Sequence, residues 1–186
     1  MRIISGKFKG KKILEPKDQI TRPLKDLTKE SIFNILMHTK KFNIEILNSK
    51  VLDLFSGVGS FGLECLSRGS KHLIFAENYK DVLSILKRNI ININCQDNVI
   101  IIENDIIKNF NFGVIKEKVD IIFMDPPYKE KNLSQLISKI NLSNILNVNG
   151  IVIIHRHKEE IDTFPESFKI LEEKCYGISK VIFGNF

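Results

Sequence analysis

The chain lacks the features that mark membrane-spanning and disulfide-stabilised proteins. Its three cysteines, Cys65, Cys95 and Cys175, are odd in number and widely spaced, which predicts neither a disulfide framework nor a zinc site. We expect them to be small buried hydrophobic residues. No apolar run approaches the ~20 residues that a transmembrane helix needs, and the amino terminus has no apolar signal-peptide region. We therefore expect a soluble cytoplasmic protein with no membrane partner.

The four histidines also lack metal-ligand spacing, so the sequence predicts no metal cofactor. His155 and His157 flank Arg156 just after an apolar segment, and strand alternation would send both to one side. We interpret them as surface or cleft-edge residues. The sequence has no internal repeat and no low-complexity tract. A hydrophobic content of 43% is ample for the core of one domain of this length, and we expect a monomer.

Positive charge is concentrated at the amino-terminal end of the chain. The first 50 residues hold 12 Lys and Arg against 5 Asp and Glu, whereas residues 51–186 hold 16 against 17. The whole net charge of +6 therefore comes from the first segment. An AT-rich genome would raise the lysine content everywhere, but it would not localise it. A localised basic segment favours binding to the phosphate backbone of a nucleic acid.

Short apolar and basic stretches alternate over residues 1–23. Gly6 and Gly10 bracket residues 7–9, which favours a short β-ribbon or a loop with basic tips. Apolar periodicity then predicts a helix over residues 24–38. We assign residues 1–40 to a basic amino-terminal extension and residues 41–186 to a separate domain. The candidate nucleic-acid contacts of the extension are Arg2, Lys7, Lys9, Lys11, Lys12 and Arg22.

Strands and helices alternate from residue 50 onward. Near-continuous apolar runs predict strands over residues 51–55, 73–76, 99–102, 119–124 and 151–154, with helices ending near residue 66 and spanning 82–93 and 133–140. The tail predicts a closing hairpin over residues 168–175 and 179–183. Apolar strands separated by helices indicate an α/β fold whose parallel sheet is covered on both faces.

A glycine-rich turn follows the first predicted strand. Gly57, Gly59 and Gly62 allow a tight turn and a close approach of the backbone to a ligand. Alone, this pattern fits a dinucleotide site or an S-adenosylmethionine (SAM) site equally. Asp53, just upstream, could face the cationic amino-acid end of SAM. Glu77, at the end of the second strand, could accept hydrogen bonds from the ribose hydroxyls of either cofactor.

Asp105 and Ile106 follow the third predicted strand. Asp105 could accept a hydrogen bond from the adenine amine of the cofactor, with Ile106 covering the ring. An ordinary helix N-cap is an equally weighted interpretation of this aspartate.

The segment Asp125-Pro126-Pro127-Tyr128, at the end of the fourth predicted strand, separates the two cofactor classes. The lone pair of a base amine is delocalised into its ring, so the amine is a poor nucleophile. Asp125 and the Pro126 carbonyl can accept its two N–H bonds and expose the lone pair, while Tyr128 stacks on the base, an interaction of ~1–3 kcal/mol. Positioning then supplies most of the catalysis of a methyl transfer. A hydride-transfer enzyme has no need of this cluster, and a Pro-Pro loop that only ends a strand is the remaining alternative.

With these motifs, the chain resembles the RsmD-type family of bacterial 16S ribosomal RNA guanine-N2 methyltransferases, which is named for guanine 966. The resemblance covers nearly the whole chain. It comprises residues 2–7 with Gly10, Arg22-Pro23 followed by residues 30–36, the loop and helix over residues 52–69, and residues 125–128. The amino-terminal signature is the most specific part, because many amine methyltransferases share the other two motifs.

The resemblance implies a Rossmann-like SAM-dependent methyltransferase fold with a mostly parallel seven-stranded sheet, a closing antiparallel hairpin and a small amino-terminal extension. It implies SAM as methyl donor, with S-adenosylhomocysteine as product, and 16S rRNA of the small ribosomal subunit or an assembly intermediate as partner. The implied SAM contacts are Asp53, Phe55, Ser56, Gly57, Gly59, Glu77, Asp105 and Ile106. Residues 125–128 would hold the guanine N2 amine, and the basic amino terminus would grip the RNA backbone.

Some positions depart from the family pattern. Leu24 stands where the family usually has Thr, and Leu27 where a basic residue is usual. His155 stands where Glu is frequent after the fifth strand. Ser56 and Val58 replace the more usual Ala and Ser or Thr in the loop. None of these changes touches residues 125–128.

Other functions fit parts of the pattern. A DNA adenine-N6 methyltransferase uses the same tetrapeptide, but this chain has no evident domain for reading a sequence in the major groove. A non-catalytic, RNA-binding ribosome-assembly factor would not need Asp125, Gly57 or Gly59. An NAD-dependent oxidoreductase explains the glycines but not residues 125–128.

Overall fold

Strands and helices alternate along the chain, largely where the sequence predicts them. The computed structural model describes residues 1–16, 24–108, 110–127 and 130–186. Its helices are α1 (Asp26–His38), α2 (Ser60–Ser67), α3 (Lys80–Asn92) and α4 (Leu133–Ser143). Its strands are β1 (Lys50–Leu54), β2 (His72–Ala76), β3 (Val99–Ile102), β4 (Val119–Met124), β5 (Leu146–His157), β6 (Lys169–Tyr176) and β7 (Ser179–Asn185). None of the described helices is long and apolar enough to cross a membrane.

The strands form a seven-stranded sheet in the order β3-β2-β1-β4-β5-β7-β6. Strands β1 to β5 pair in parallel, whereas β7 runs antiparallel to both β5 and β6. These pairings confirm the predicted α/β, Rossmann-like fold with a mostly parallel sheet and a closing hairpin. The chain builds the sheet outward from β1 to β3 and then returns to β4 beside β1. The direction of winding therefore reverses between β1 and β4, and sheets of this class bind ligands at that point.

The central strands are buried on both faces of the sheet. In β4, Ile121 and Phe123 belong to one hydrophobic cluster, and Ile122 and Met124 belong to another. The first cluster includes buried residues of α1, α2 and α3, and the second includes those of α4. Helices thus cover both faces, which explains why the strands appear in the sequence as continuous apolar runs.

The predicted amino-terminal ribbon is reduced to an antiparallel bridge between Arg2 and Lys12. Ile3 and Ile13 on either side of the turn are buried in the first hydrophobic cluster, together with residues of α1 and β1. The amino-terminal segment therefore packs on the same core as the sheet. The division into residues 1–40 and 41–186 stays a prediction.

Glu64 of α2 fastens the amino-terminal segment to the rest of the fold. Its fully buried carboxylate accepts hydrogen bonds from the backbone N–H of Ile4 at 2.7 Å and of Ser5 at 3.0 Å. Lys29 of α1, also fully buried, has its Nζ 3.9 Å from the same carboxylate and donates to the Arg2 carbonyl at 2.9 Å. The buried negative charge is therefore compensated by hydrogen bonds and a cation, as a buried charge must be.

Two sequence predictions are wrong in detail. Strand β5 begins at Leu146 rather than at residue 151, because Leu146 pairs with Val119 before a register shift in β4. Asn147 and Asn149 interrupt the apolar pattern between Leu146 and Ile151, so the start of β5 could not be recognised in the sequence. Cys65 and Cys95 are buried as predicted, but Cys175 is exposed because it lies on the edge strand β6.

Candidate active site at the carboxyl edge of the sheet

The register of the parallel strands brings the predicted site residues together. Leu54 pairs with Ala76 and with Met124, and Met124 pairs with Ile154. The residues that follow these four therefore lie side by side along the carboxyl edge: Phe55, Glu77, Asp125 and His155. A cavity of about 820 Å³ opens at this edge and is lined by all four. Its volume is typical of a site for a small molecule or cofactor.

The loop after β1 approaches this cavity through unusual backbone conformations. Phe55 has φ +60°, Gly57 has φ +53°, and Gly59 has φ +84°. Residues other than glycine rarely adopt such positive φ angles, so the backbone of Phe55 is strained. Backbone strain of this kind often marks a ligand site. Phe55, Ser56 and Gly57 line the cavity, as the sequence predicts for cofactor contacts.

The second and third glycines of the motif serve packing instead. A Cβ atom on Gly59 would meet Leu86 Cδ1 at 2.6 Å, and one on Gly62 would meet Phe75 Cε1 at 2.6 Å. Both glycines therefore let α2 lie close to β2 and α3. Gly59 lies beneath the loop rather than among the cavity-lining residues, and its contact with a cofactor stays a prediction.

Glu77 holds two loops of the cavity in place. One carboxylate oxygen accepts the N–H of Gly57 at 2.8 Å, and the other accepts the N–H of Asn78 at 2.9 Å and of Tyr79 at 3.0 Å. The side chain thus holds the two residues that precede α3 and also lines the cavity, and its contact with a ribose stays a prediction. The oxygen bonded to Gly57 retains one acceptor site for a ligand hydroxyl, whereas the other oxygen already accepts two N–H groups.

Asp53 is a buried carboxylate below the same cavity. Its side chain accepts the N–H of Gly62 at 3.0 Å through Oδ2, while Oδ1 has no hydrogen-bond partner within the described residues. Burial raises the pKa of Asp53 well above its usual range, and the nearby Asp125 and Glu77 carboxylates raise it further. Three carboxylates on one cavity favour a cationic ligand.

Asp105 and Ile106 are not among the residues that line the cavity. Asp105 Oδ1 accepts the backbone N–H of Ile107 and of Lys108, each at 3.0 Å, and so stabilises a turn over residues 106–108, where the sequence offered a helix N-cap. Ile106 is buried in the second hydrophobic cluster. Their role as adenine contacts stays a prediction.

Residues 125–128, which the sequence predicts to hold the substrate amine, follow β4 directly, and we call them the acceptor segment. Asp125, Pro126 and Pro127 line the cavity, and Tyr128 lies outside the described residues. Asp125 Oδ1 is 2.8 Å from His155 Nδ1 at the end of β5. The interpretation of His155 as a cleft-edge residue is therefore confirmed, although the sequence did not predict its contact with Asp125.

Arg156 is a residue that the sequence analysis missed as part of the site. It is 1% exposed, and its guanidinium donates to both carboxylate oxygens of Asp162, from Nε at 3.0 and 3.2 Å. It also donates to the carbonyl of Pro127 from Nη1 and of Glu130 from Nη2, each at 3.1 Å. The only sequence signal for this role is an arginine at the end of an apolar strand.

Apolar residues close the rest of the cavity. The rings of Phe61 and Phe123 line the cavity and stack with their centroids 4.0 Å apart. Leu24, just before α1, and Ile178, in the turn between β6 and β7, also line it. None of these four residues is predicted as part of the site from the sequence. A largely apolar wall with few polar groups is typical of a site that orients a planar ligand.

The predicted nucleic-acid contacts lie away from this lining. Arg2, Lys7, Lys9, Lys11 and Lys12 are all exposed, and we call this group the basic surface. Lys7 and Lys11 each place Nζ 5.4 Å from the Phe8 ring centroid, which steadies the turn between them. Arg22 lies outside the described residues. The structure thus presents a compact patch of positive charge on the segment that Glu64 anchors.

Comparison with known proteins agrees with this arrangement. A family model described as Conserved hypothetical protein 95 matches residues 1–185. Ribosomal RNA small subunit methyltransferase D of Haemophilus influenzae is 32% identical over 183 residues, covering 96% of this chain and 90% of its own. Putative rRNA methyltransferase YlbH of Bacillus subtilis is 31% identical, covering 97% of this chain and 96% of its own.

A solved structure of a putative methyltransferase from Escherichia coli shares the fold, with a TM-score of 0.80 at 22% identity over 99% of this chain and 96% of that chain. The family model covers nearly the whole chain, and the motifs, the fold and the curated relatives agree with it. The protein therefore belongs to the Conserved hypothetical protein 95 family, the RsmD-type methyltransferase family that its motifs resemble.

Proposed function

We propose that the protein transfers a methyl group from SAM to the exocyclic N2 amine of a guanine in 16S rRNA of the small ribosomal subunit. The observation that carries this proposal is the shared cavity at the switch point, where the amine-binding segment of β4 faces the glycine loop of β1. Membership of a family with rRNA methyltransferase relatives supports the substrate class. The guanine and its N2 atom rest on the resemblance and on residues 125–127.

The residues of the cavity fit SAM as the cofactor. Asp53 would face its positive charge, and Glu77 would hold its ribose. The loop at Phe55, Ser56 and Gly57 lines the cavity and would bring its backbone close to the cofactor. When bound, SAM supplies a methyl group that is already activated by its sulfonium. Asp105 and Ile106 remain proposed adenine contacts, and we propose no metal cofactor.

The acceptor segment would supply the positioning that the amine requires. Asp125 and the Pro126 carbonyl accept the two N–H groups of the amine, which exposes its lone pair. Methylation would join the nitrogen to the methyl carbon as the carbon–sulfur bond of the sulfonium breaks and S-adenosylhomocysteine leaves. The nitrogen would then lose one proton, which the Asp125 carboxylate could accept. Pro127 and Tyr128 would hold the base flat. Because this base must leave its stack to enter the cavity, unpaired or loosely stacked RNA is the better substrate.

The basic surface would bind the RNA backbone. Its side chains are exposed and are carried by a segment that is fixed to the fold through Glu64. Arg22 would extend this surface. We propose that residues 1–40 form the RNA-binding part of a monomeric, cytoplasmic enzyme, and that an assembling small subunit is an alternative form of the substrate.

The test is transfer of a labelled methyl group from SAM to unmodified small-subunit particles, naked 16S rRNA and duplex DNA in parallel, followed by digestion to nucleosides. N2-methylguanosine from either RNA sample is the expected product. Label in adenine of the DNA would instead identify a DNA adenine-N6 methyltransferase. Absence of both labelling and SAM binding would identify a non-catalytic RNA-binding assembly factor.

A further inference from the structure

We propose that His155 and Arg156, adjacent on β5, are positioning residues that together fix the acceptor half of the cavity. His155 orients the carboxylate of Asp125, and Arg156 holds the backbone carbonyls of Pro127 and Glu130. We call the segment from Asp125 to Glu130 the acceptor loop. The inference rests on the proposed amine methylation. It assigns the work of aligning the acceptor to one strand, outside the tetrapeptide that contacts the amine.

Neighbouring positions on β5 explain why two consecutive residues can share this work. Successive side chains of a strand point to opposite faces, so His155 and Arg156 approach the acceptor loop from two sides. His155 reaches Asp125 at the start of the loop. Arg156 reaches Pro127 and Glu130 further along it. The acceptor loop is therefore held at the Asp125 side chain and at the backbone carbonyls of Pro127 and Glu130.

The contact between His155 and Asp125 selects one carboxylate oxygen. An ionised carboxylate has no proton to give, so Nδ1 of His155 carries the hydrogen of the 2.8 Å contact to Asp125 Oδ1. This bond fixes the rotation of the carboxylate about its Cβ–Cγ bond. Oδ2 then remains as the oxygen that can accept from the substrate amine.

The remainder of the His155 ring shows that stability does not explain its presence. The residue is 5% exposed, and Nε2 is buried with no hydrogen-bond partner within the described ranges. A buried polar atom without a partner is destabilising, whereas an apolar side chain at this position would carry no such penalty. Asp125 is partly exposed, so water could satisfy it without the histidine. The imidazole is therefore best explained by its effect on Asp125.

The geometry of Arg156 suits a clamp between two loops. Its Nε donates to both carboxylate oxygens of Asp162, and Nη2 lies 2.9 Å from Oδ1 of the same group, which fixes the guanidinium plane. Nη1 and Nη2 also donate to the carbonyls of Pro127 and Glu130. Lysine has three donors on one nitrogen and cannot serve both groups in this plane. The pair Arg156–Asp162 thus ties the acceptor loop to the segment after β5.

The test of His155 compares three variants in the full chain. His155→Leu removes the N–H donor, whereas His155→Asn keeps an N–H near the position of Nδ1. The control is His72→Gln, which changes an exposed histidine at the start of β2, at the opposite end of the strand from the cavity. We expect His155→Leu to lower kcat about 10- to 100-fold, to leave SAM affinity unchanged, and to unfold at the same or higher denaturant concentration. His155→Asn should recover most of kcat, and His72→Gln should match the wild type.

Equal turnover of His155→Leu and wild type would overturn the role of His155. Equally low turnover of the Leu and Asn variants would also overturn it, because shape rather than the donor would then matter. A wild-type enzyme that methylates no RNA would instead contradict the proposed function itself. The two failures are therefore distinguishable in one series of assays.

The test of Arg156 uses Arg156→Lys, with Arg88→Lys on the exposed face of α3 as the matched control. We expect Arg156→Lys to lower kcat about tenfold and to speed proteolysis within residues 125–132, while SAM affinity stays at the wild-type value. Arg88→Lys should change neither quantity. Wild-type kcat together with wild-type proteolysis in Arg156→Lys would overturn the clamp.

Discussion

The two halves of the cavity are held in place by different means. In the half formed by β1 and β2, backbone conformation does most of the work, and Glu77 ties the backbone of two loops together. In the half formed by β4 and β5, side chains do it, because His155 and Arg156 reach across from one strand to the next. We therefore expect cofactor binding to depend mainly on the first half. We expect the chemical step to depend on side-chain alignment in the second half.

Loss of Asp125 should separate the halves most clearly. We expect Asp125→Ala to lower turnover about 10²- to 10³-fold, because the amine loses its charged acceptor. SAM affinity should remain close to the wild-type value, as measured by calorimetry. The exposed Asp97 provides a matched control in Asp97→Ala, which should retain full turnover. Loss of SAM binding in Asp125→Ala would show that the two halves are not independent.

Glu77→Gln should have the complementary effect. In the wild type, the two carboxylate oxygens of Glu77 accept the N–H groups of Gly57 and Asn78. The glutamine amide replaces one of these oxygens with an NH2 group, which faces a backbone N–H and cannot accept from it, so the two loops should lose their alignment. We expect the Kd for SAM to rise about 10- to 100-fold, with nearly normal kcat at saturating SAM. Glu103→Gln, at the end of β3, is the control. A defect in kcat alone would assign Glu77 to the acceptor half.

Neutralising the basic surface should affect neither half of the cavity. With Lys7, Lys9, Lys11 and Lys12 changed to Gln, RNA affinity should fall about tenfold and the slope of log K against log salt should decrease by about 0.7 for each lost contact. SAM affinity should not change. The control replaces exposed lysines elsewhere: Lys116, Lys118, Lys169 and Lys174. An unchanged salt slope would place the RNA on another surface.

The raised pKa of the buried Asp53 predicts that the free energy of unfolding and the affinity for SAM both depend on pH. Because burial raises the pKa of Asp53, the folded protein retains a proton that the unfolded chain, with a pKa of about 3.9, has already lost. The free energy of unfolding of the SAM-free protein should therefore fall as pH rises between these two pKa values. A bound cation favours the ionised form, so SAM should bind more tightly at higher pH.

Denaturant unfolding at several pH values would measure this effect. In Asp53→Asn, the contribution of this group to the pH dependence of stability should disappear, and SAM affinity should become weaker and less dependent on pH. Identical pH profiles for Asp53→Asn and the wild type would show that another group is responsible.

The same contrast explains what could be predicted from the sequence. Glu77 and Asp125 each directly follow an apolar run, and parallel strands bring such positions to one edge, so both could be placed from the sequence. The contact of His155 with Asp125 depends on the register between β4 and β5, and the bonds of Arg156 depend on the path of the loop after Pro127. Neither is encoded in a local pattern.

Some residue types also have several uses that sequence cannot separate. In the sequence, Asp105 fits a helix cap and a cofactor contact equally well, whereas in the structure its carboxylate stabilises a turn. The glycine motif looks like a single ligand-binding unit, yet Gly59 and Gly62 allow close packing of α2 while Gly57 lines the cavity. The predictions for Tyr128 and Arg22 stay untested by the described residues.

The anchoring of the amino-terminal segment at Glu64 has a practical and a mechanistic consequence. Deleting the first five residues would strip the N–H partners from a fully buried carboxylate, so truncation would damage the fold and not only RNA binding. The contribution of this segment to RNA affinity must therefore be measured by substitution. The same attachment would fix the distance between the proposed RNA-binding surface and the cavity. An RNA chain bound to the basic surface would therefore be held at a set spacing from the cavity, and that spacing would help to determine which nucleotide enters it.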